Sequence, residues 1–199
     1  MYRKNKLIHG VGINDYEGSV GRSGNVIPSY HCWHGMLRRC YDPKSHIKRP
    51  TYIGCSVSDE WKYFSNFKKW YDINYIEGFE LDKDILVEGN KVYSKETCRF
   101  IPPYINTILN DHRSVKRNLP RGVSENKPNE YSKRVNITYK ASCQGANSQQ
   151  LNKTFKTIEE AVTWYSETKT RVVREVATRA LEAGEIQPDV FDALIRRQF

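Results

Sequence analysis

The segment 79–102 constrains the fold of this chain more than any other, because it encodes a strand, a tight turn and a return within a short span. Residues 81–86 combine apolar and acidic side chains and predict a short strand. Gly89 and Asn90 predict the turn. Residues 93–96 then begin either a short helix or a second strand. We therefore expect the first part of the chain to be organised around this segment.

Two helices with aromatic faces are predicted before it. The first covers 29–41, and its apolar face holds Trp33, Met36, Leu37, Cys40 and Tyr41. The second covers 59–74, and its apolar face holds Trp61, Phe64, Phe67, Trp70 and Tyr71. Aromatic residues at helical spacing are typical of a buried core. Between the helices, 42–50 are predicted to form a polar loop and 51–57 a strand.

These patterns together resemble bacteriophage proteins of the HNH (ββα-metal) endonuclease family. The resemblance is carried by the order of elements in 79–102, by Trp33-x-x-Met36-x-x-Arg39-Cys40-Tyr41 and by Trp61-x-x-Phe64-x-x-Phe67-x-x-Trp70. It implies a strand–turn–helix core in which an Asp and a late Asn hold one divalent metal ion. In that family a His next to the Asp activates the attacking water.

The catalytic set implied by the resemblance is Asp82, Lys83 and Asn90, with Asp82 and Thr97 as metal ligands. Lys83 stands where the family has its general base His, and Thr97 where it has the late Asn. A lysine is ordinarily protonated at neutral pH and then binds phosphate but cannot accept a proton from water. The sequence therefore favours binding without cleavage and without a cofactor; the alternative is a Mg²⁺-dependent endonuclease that uses Asp82.

The second half of the chain predicts three strands and a long helix. The strands are expected at 121–124, 131–140 and 151–155, and Thr157 with Glu160 has the spacing of a helix capping box. The middle strand places polar residues on one face, namely Arg134, Asn136, Thr138 and Lys140.

This arrangement resembles the AP2 DNA-binding domain, through Leu119-Pro120-Arg121-Gly122-Val123 and Phe155-x-Thr157-x-Glu159-Glu160-Ala161. It implies a three-stranded antiparallel sheet packed on a long helix, with one sheet face in the major groove of DNA. The residues that would make contacts are Arg121, Lys133, Arg134, Asn136, Lys140 and Lys153. A sheet face that meets only solvent would show the same alternation.

Charge supports a polyanionic partner. The net charge is +9, and the basic residues are concentrated in 1–50, with 9 Lys and Arg against 3 Asp and Glu, and in 111–156, with 10 against 3. The expected partner is DNA or structured RNA, including ribosomal RNA. Further candidate contacts are Arg38, Arg39, Lys83, Lys91 and Arg117. A third hypothesis is a protein that binds a host machine by protein contacts through its final helices.

The predicted fold is therefore α+β, with an HNH-like core wrapped by helices and then an AP2-like domain. The expected divisions are a flexible basic arm at 1–28, the HNH-like domain at 29–110, a basic linker at 111–118, the AP2-like domain at 119–185 and a helix at 186–199. No apolar run of about 18 residues predicts a membrane span. Five cysteines, an odd number, indicate reduced thiols and hence the cytoplasm, that of a bacterial host if a phage encodes the protein.

Overall fold

The structure is a computed structural model, and it describes residues 7–22, 25–109, 119–127 and 136–199. The chain divides into two compact units, Met1–Ile101 and Pro102–Phe199. Both units combine helices with small sheets, so the predicted α+β class is confirmed. The predicted linker at 111–118 and part of the predicted arm (residues 1–6, 23 and 24) lie outside the described residues.

Among its described residues, the first unit contains three α-helices and six very short strands. The helices are α1 (Pro28–Tyr41), α2 (Pro43–Lys48) and α3 (Phe64–Asn74), with 3-10 turns at Pro50–Tyr52 and Glu60–Lys62. The strands are β1 (Gly21–Arg22), β2 (Asn25–Val26), β3 (Ser56–Val57), β4 (Glu80–Asp82), β5 (Val92–Tyr93) and β6 (Arg99–Ile101). They form three separate pairs: β1 with β2 and β4 with β6 are antiparallel, and β3 with β5 is parallel.

An aromatic core holds this unit together. The predicted apolar faces of α1 and of the α3 region meet there, and Trp33, Trp61, Phe64 and Phe67 are fully buried. The Nε1 atom of Trp33 donates a hydrogen bond to the carbonyl of Trp61, over 2.7 Å. Each fully buried aromatic side chain contributes roughly 2–3 kcal/mol. Because strands of two or three residues form few ladder bonds, this core rather than the sheets stabilises the unit.

Several element boundaries differ from the prediction. The segment 42–50 is not a loop, because α2 occupies most of it: Asp42 accepts a hydrogen bond from the backbone of Lys44 at the helix start. The strand predicted at 51–57 is confined to β3, and the strand predicted at 81–86 ends at Asp82. Neither alternative for 93–96 is correct: β5 ends at Tyr93, and residues 94–97 form a turn.

The described part of the second unit contains three helices and one sheet. The helices are α4 (Pro103–Leu109), α5 (Ile158–Glu182) and α6 (Pro188–Arg196), and the strands are β7 (Val123–Asn126), β8 (Thr138–Gln144) and β9 (Gln150–Phe155). The predicted capping box opens α5: Thr157 accepts from the backbone of Glu160, whose side chain accepts from the backbone of Thr157. In the described part of the chain, no helix has the length and apolarity that a membrane crossing requires.

Helix α4 belongs to the second unit, whereas the sequence places it in the first domain. The buried Lys169 on α5 donates a hydrogen bond from its amino group to the carbonyl of Ile108. Arg121 donates to the carbonyl of Leu109, over 2.9 Å. Both contacts join α4 to later residues of the second unit, 12 and 61 positions along the chain.

The three-stranded sheet is antiparallel, as expected, and its strand order is β7–β8–β9. Ala141 and Cys143 of β8 face α5, and with Val123, Ala161 and Tyr165 they form the buried core between sheet and helix. Gly122 makes this contact possible, since its φ of +73° suits glycine and a Cβ there would lie 2.1 Å from the ring of Tyr165. The opposite face of the sheet is therefore fixed as the outer one.

Candidate functional site

The residues of the implied catalytic set are brought together, but their polar groups are bonded to their own chain. We call residues 83–97 the clasp loop. Lys83 is buried, with 7% of its surface exposed, and its amino group donates to the Asp84 carboxylate and, over 2.7 Å, to the carbonyl of Asn90. The ring of Tyr93 lies 6.0 Å from the same amino group. This lysine therefore holds the loop closed and is not displayed to a ligand.

Asn90 is also fully engaged. Its Nδ2 donates to the carbonyls of Lys83, over 2.8 Å, and Val92, over 2.7 Å, while its Oδ1 accepts from the backbone of Val92. The hydroxyl of Thr97 donates to the same Val92 carbonyl over 2.8 Å. The two side chains thus converge on one backbone oxygen rather than on a ligand position.

Asp82 lies at the end of β4, opposite Arg99 of β6. Its Oδ1 accepts a hydrogen bond of 2.6 Å from the backbone of Asp84. Among the described residues, no group of three or more His, Cys, Asp or Glu side chains is arranged to hold a metal ion. The Asp82 carboxylate and the Lys83 amino group are therefore both engaged in hydrogen bonds within the chain, and these bonds fix the local backbone.

The outer face of the three-stranded sheet is the second candidate site, and its side chains are turned outward. Strand alternation and the observed register place nine residues on it, namely Ser124, Asn126, Thr138, Lys140, Ser142, Gln144, Gln150, Asn152 and Thr154. All nine are polar, none is acidic and none is buried. Hydroxyl and amide groups both donate and accept hydrogen bonds, as the edges of bases do.

The dimensions of this face match a groove of DNA. Adjacent strands lie about 4.8 Å apart, so the outer two strands are separated by roughly 10 Å. The major groove of B-form DNA is about 12 Å wide and admits β-structures. The deep, narrow major groove of A-form RNA does not admit side chains in this way.

The residues that the AP2 resemblance assigns to DNA contact do not all lie on the outer face of the sheet. Lys140 lies on the outer face, between Ser124 and Thr154 in the register, and the exposed Asn136 precedes β8. Lys153 lies opposite Ala141 and therefore on the side of the helix, with its amino group 5.4 Å from the ring of Phe155. Three predicted contacts lie outside the described residues: Arg117, Lys133 and Arg134.

Sequence reasoning missed most of the outer face. The alternation of Ala141 and Cys143 with Ser142 and Gln144 was the signal that extends the polar face along β8. On β9, the register with β8 was needed, because Lys153 interrupts the alternation that Leu151 and Phe155 would otherwise show. The assignment of Asn152 and Thr154 to this face therefore depends on the fold.

The residues of the first unit that were predicted to contact nucleic acid also differ in their accessibility. Arg38 is exposed on α1. Arg39 is half-buried, donating to the hydroxyl of Tyr93 over 3.2 Å and lying 5.7 Å from the rings of Tyr52 and Tyr93. Lys91 is exposed, and its amino group donates to the carbonyl of Thr51 over 2.8 Å. Arg39 is thus part of the scaffold, whereas Arg38 and Lys91 are accessible.

No protein-family model, no curated protein and no solved structure matches the chain. The fold and the two sites define an α+β protein with a closed polar loop in one unit and an open polar sheet face in the other. The HNH-like and AP2-like assignments, which the sequence motifs carry, therefore stay predictions.

Proposed function

We propose that this protein binds nucleic acid, with duplex DNA as the favoured ligand, on a degenerate HNH-like scaffold and without cleaving it. The observation that carries the proposal is the outer face of the β7–β8–β9 sheet, which presents nine polar side chains and no carboxylate. An acid-free polar surface on a chain of net charge +9 suits a phosphate-lined groove. We further propose that this unit is AP2-like and reads the major groove.

The absence of cleavage follows from the chemistry of the clasp loop. A one-metal nuclease needs a base that accepts the proton of water and a ligand set with open positions. Lys83 is bonded to Asp84 and Asn90, and Asn90 and Thr97 are bonded to the backbone. Nothing in this arrangement activates water, so neither metal nor other cofactor is part of the proposal.

We place the protein in the cytoplasm, the bacterial cytoplasm if it is phage-encoded. All five cysteines are free thiols, which persist where glutathione and thioredoxin keep them reduced. Nucleic acid is accessible in the same compartment.

Fluorescence anisotropy with end-labelled probes tests the proposal. We would compare a pool of random-sequence duplex DNA, a duplex RNA of the same length and a folded ribosomal RNA fragment, each between 50 and 200 mM salt. Duplex DNA is expected to bind most tightly, with an affinity that falls steeply with salt because phosphate contacts release counterions. Preference for the folded RNA would transfer the proposal to RNA, and no binding to any probe would refute it.

Lys140→Glu and Lys153→Glu form a matched pair for the location of the site. Lys140 lies on the outer face and Lys153 on the side of the helix, so only the first substitution should weaken binding markedly. Equal losses of affinity would contradict the placement.

Plasmid nicking in Mg²⁺ or Mn²⁺ tests the second candidate function, the metal-dependent endonuclease. We expect no nicking above a no-protein control. Nicking by the wild type that disappears in Asp82→Ala would establish the endonuclease instead.

A further inference from the structure

The strongest unassigned feature of the first unit is a surface that combines cations with exposed isoleucines. We call it the α2 surface and define it by Lys44, Ile47, Lys48, Arg49, Ile53 and Lys91. Ile47 is 83% exposed and Ile53 is 58% exposed. Exposed cations surround them, although the sequence suggested only a polar loop here.

Helix geometry places the cations beside Ile47. At about 100° per residue, Lys44, Ile47 and Lys48 fall within an arc of roughly 100°, on the side of α2 opposite His46. His46 contacts α1, where its Nε2 lies 3.0 Å from the carbonyl of Arg39. That contact fixes the direction of the helix, so Ile47 and its two lysines point away from the unit.

The remaining members are held in place by backbone bonds. The backbone of Arg49 donates to Ser45 over 2.9 Å, and its carbonyl accepts from Tyr52 over 3.1 Å. The amino group of Lys91 reaches the same turn by its bond to Thr51. Ile53 follows directly and is held by a backbone bond to Pro50. Hydrogen bonds within the first unit therefore hold the turn that carries Arg49 and Ile53 in place.

Its charges are also uncompensated. Elsewhere in the unit, lysines such as Lys62, Lys68 and Lys95 pair with carboxylates within 3 Å. Within the described ranges, none of the four cations of the α2 surface forms a salt bridge. Their charge is free to meet phosphates.

We propose that the α2 surface is a DNA-kinking wedge: its cations bind the phosphates beside the minor groove, and Ile47 inserts between two base pairs. This inference rests on the proposed function, since it needs DNA as the ligand. An exposed isoleucine has no favourable contact in water, but between unstacked bases its surface is buried. Flanking cations are required because they bind the phosphates of both DNA strands while the two base pairs separate.

Ligase-mediated cyclisation tests the wedge without knowledge of a binding site. A duplex of about 100 base pairs is shorter than the persistence length of about 150 base pairs and closes slowly by itself. Wild-type protein is expected to speed closure about tenfold, because a kink supplies part of the bend. Ile47→Ala should abolish this acceleration while anisotropy shows an affinity within about threefold of wild type.

Two variants complete the design. Ile73→Ala is the matched control, because Ile73 on α3 is 84% exposed outside this surface, and it should cyclise DNA as the wild type does. The double variant Lys48→Ala, Arg49→Ala should lower the slope of log affinity against log salt by about 1.8, or about 0.9 for each phosphate that a cation no longer neutralises.

The outcomes separate the wedge from the proposed function. DNA binding without acceleration of closure, or acceleration that survives Ile47→Ala, overturns the wedge and leaves nucleic-acid binding intact. An unchanged salt slope in the double variant also overturns it. Failure to bind DNA overturns both. Binding to anionic vesicles but not to DNA, abolished in Ile47→Ala, would instead assign the surface to a membrane.

Discussion

The clasp loop and the outer face of the sheet carry the same kinds of side chain and use them in opposite ways. Each has a lysine, an asparagine and a threonine: Lys83, Asn90 and Thr97 in the loop, and Lys140, Asn152 and Thr154 on the sheet. In the loop these side chains bond to the carbonyls of Asn90, Lys83 and Val92. On the sheet they face outward, because the strands already satisfy each other's backbone.

The comparison indicates that polar side chains bond to the backbone where the backbone lacks ladder partners, and face outward where a sheet supplies those partners. Strands β4 and β5 are three and two residues long, so the loop between them leaves carbonyls without ladder partners. Carbonyls without ladder partners need other donors, and the side chains of the loop supply them. In the continuous sheet the ladder pairs most of the backbone. Of the outer side chains, Ser124 and Gln150 donate to carbonyls, over 3.3 and 3.4 Å, whereas Lys140, Asn152 and Thr154 remain available for a ligand.

The largest effect that tests this comparison is expected for Lys83→Ala. The substitution removes one donor to the Asp84 carboxylate and one to the Asn90 carbonyl, and we expect the free energy of unfolding to fall by about 3 kcal/mol. Urea denaturation followed by tryptophan fluorescence measures it. Lys95→Ala is the control, since Lys95 pairs with Glu60 in the open, and it should leave the urea midpoint unchanged. Equal midpoints for both variants would mean that the clasp is not structural.

Asn90→Ala should have the next largest effect. It removes three hydrogen bonds, and a decrease of about 2 kcal/mol in unfolding free energy is expected. The sheet offers the matched residue, because Asn152→Ala removes an exposed amide and should change stability by less than about 0.5 kcal/mol. A decrease in Asn152→Ala as large as that in Asn90→Ala would break the comparison.

A negative charge on the acid-free face should weaken DNA binding with no loss of stability. Thr154→Asp places a carboxylate beside Lys140, and we expect about a tenfold lower affinity by anisotropy at 100 mM salt. Thr163→Asp adds the same charge on the exposed side of α5 and should change affinity by less than about threefold. If the two variants lose affinity equally, the effect comes from net charge and not from the face.

The smallest effect concerns pH, since neither the clasp loop nor the sheet contains a histidine. Burial lowers the pKa of His34, and His9, Arg38 and His31 lower it further; the His9 ring centroid lies 4.7 Å from that of His34. Below the ordinary pKa of 6.5, the unfolded chain therefore binds more protons than the folded one. Stability should decrease as the pH falls from about 6.5 through the lowered pKa of His34 and then level off.

Urea midpoints between pH 5 and 8 check this sign, with His34→Gln as the variant that should flatten the profile. DNA binding to the sheet at pH 6 to 8 should stay constant, because the outer face contains no histidine. A midpoint that rises on acidification would contradict the assignment to His34.

Local patterns in the sequence determined the elements that depend on neighbours along the chain. The aromatic faces of α1 and α3 and the Thr157–Glu160 capping box are set within one or two helical turns, and each was predicted. The alternation in β8 is equally local, but it was predicted only as far as Lys140. Helix α2 belongs to the same class, since Asp42 and Pro43 form a start signal that was read as a loop. Here the information was local and the interpretation was wrong.

Only the tertiary structure decided which polar residues are available. The sequence around Lys83 is equally compatible with an exposed lysine that binds phosphate. Its burial depends on a bond to Asn90, seven residues later, and on the ring of Tyr93. Lys153 faces the helix because β9 pairs with β8 in one particular register. Helix α4 joins the second unit through Lys169, which is 61 residues from its partner. Spacing along the chain encodes a helix or a strand, whereas burial and register depend on contacts between distant residues, and these determined which side chains of this protein remain free to bind.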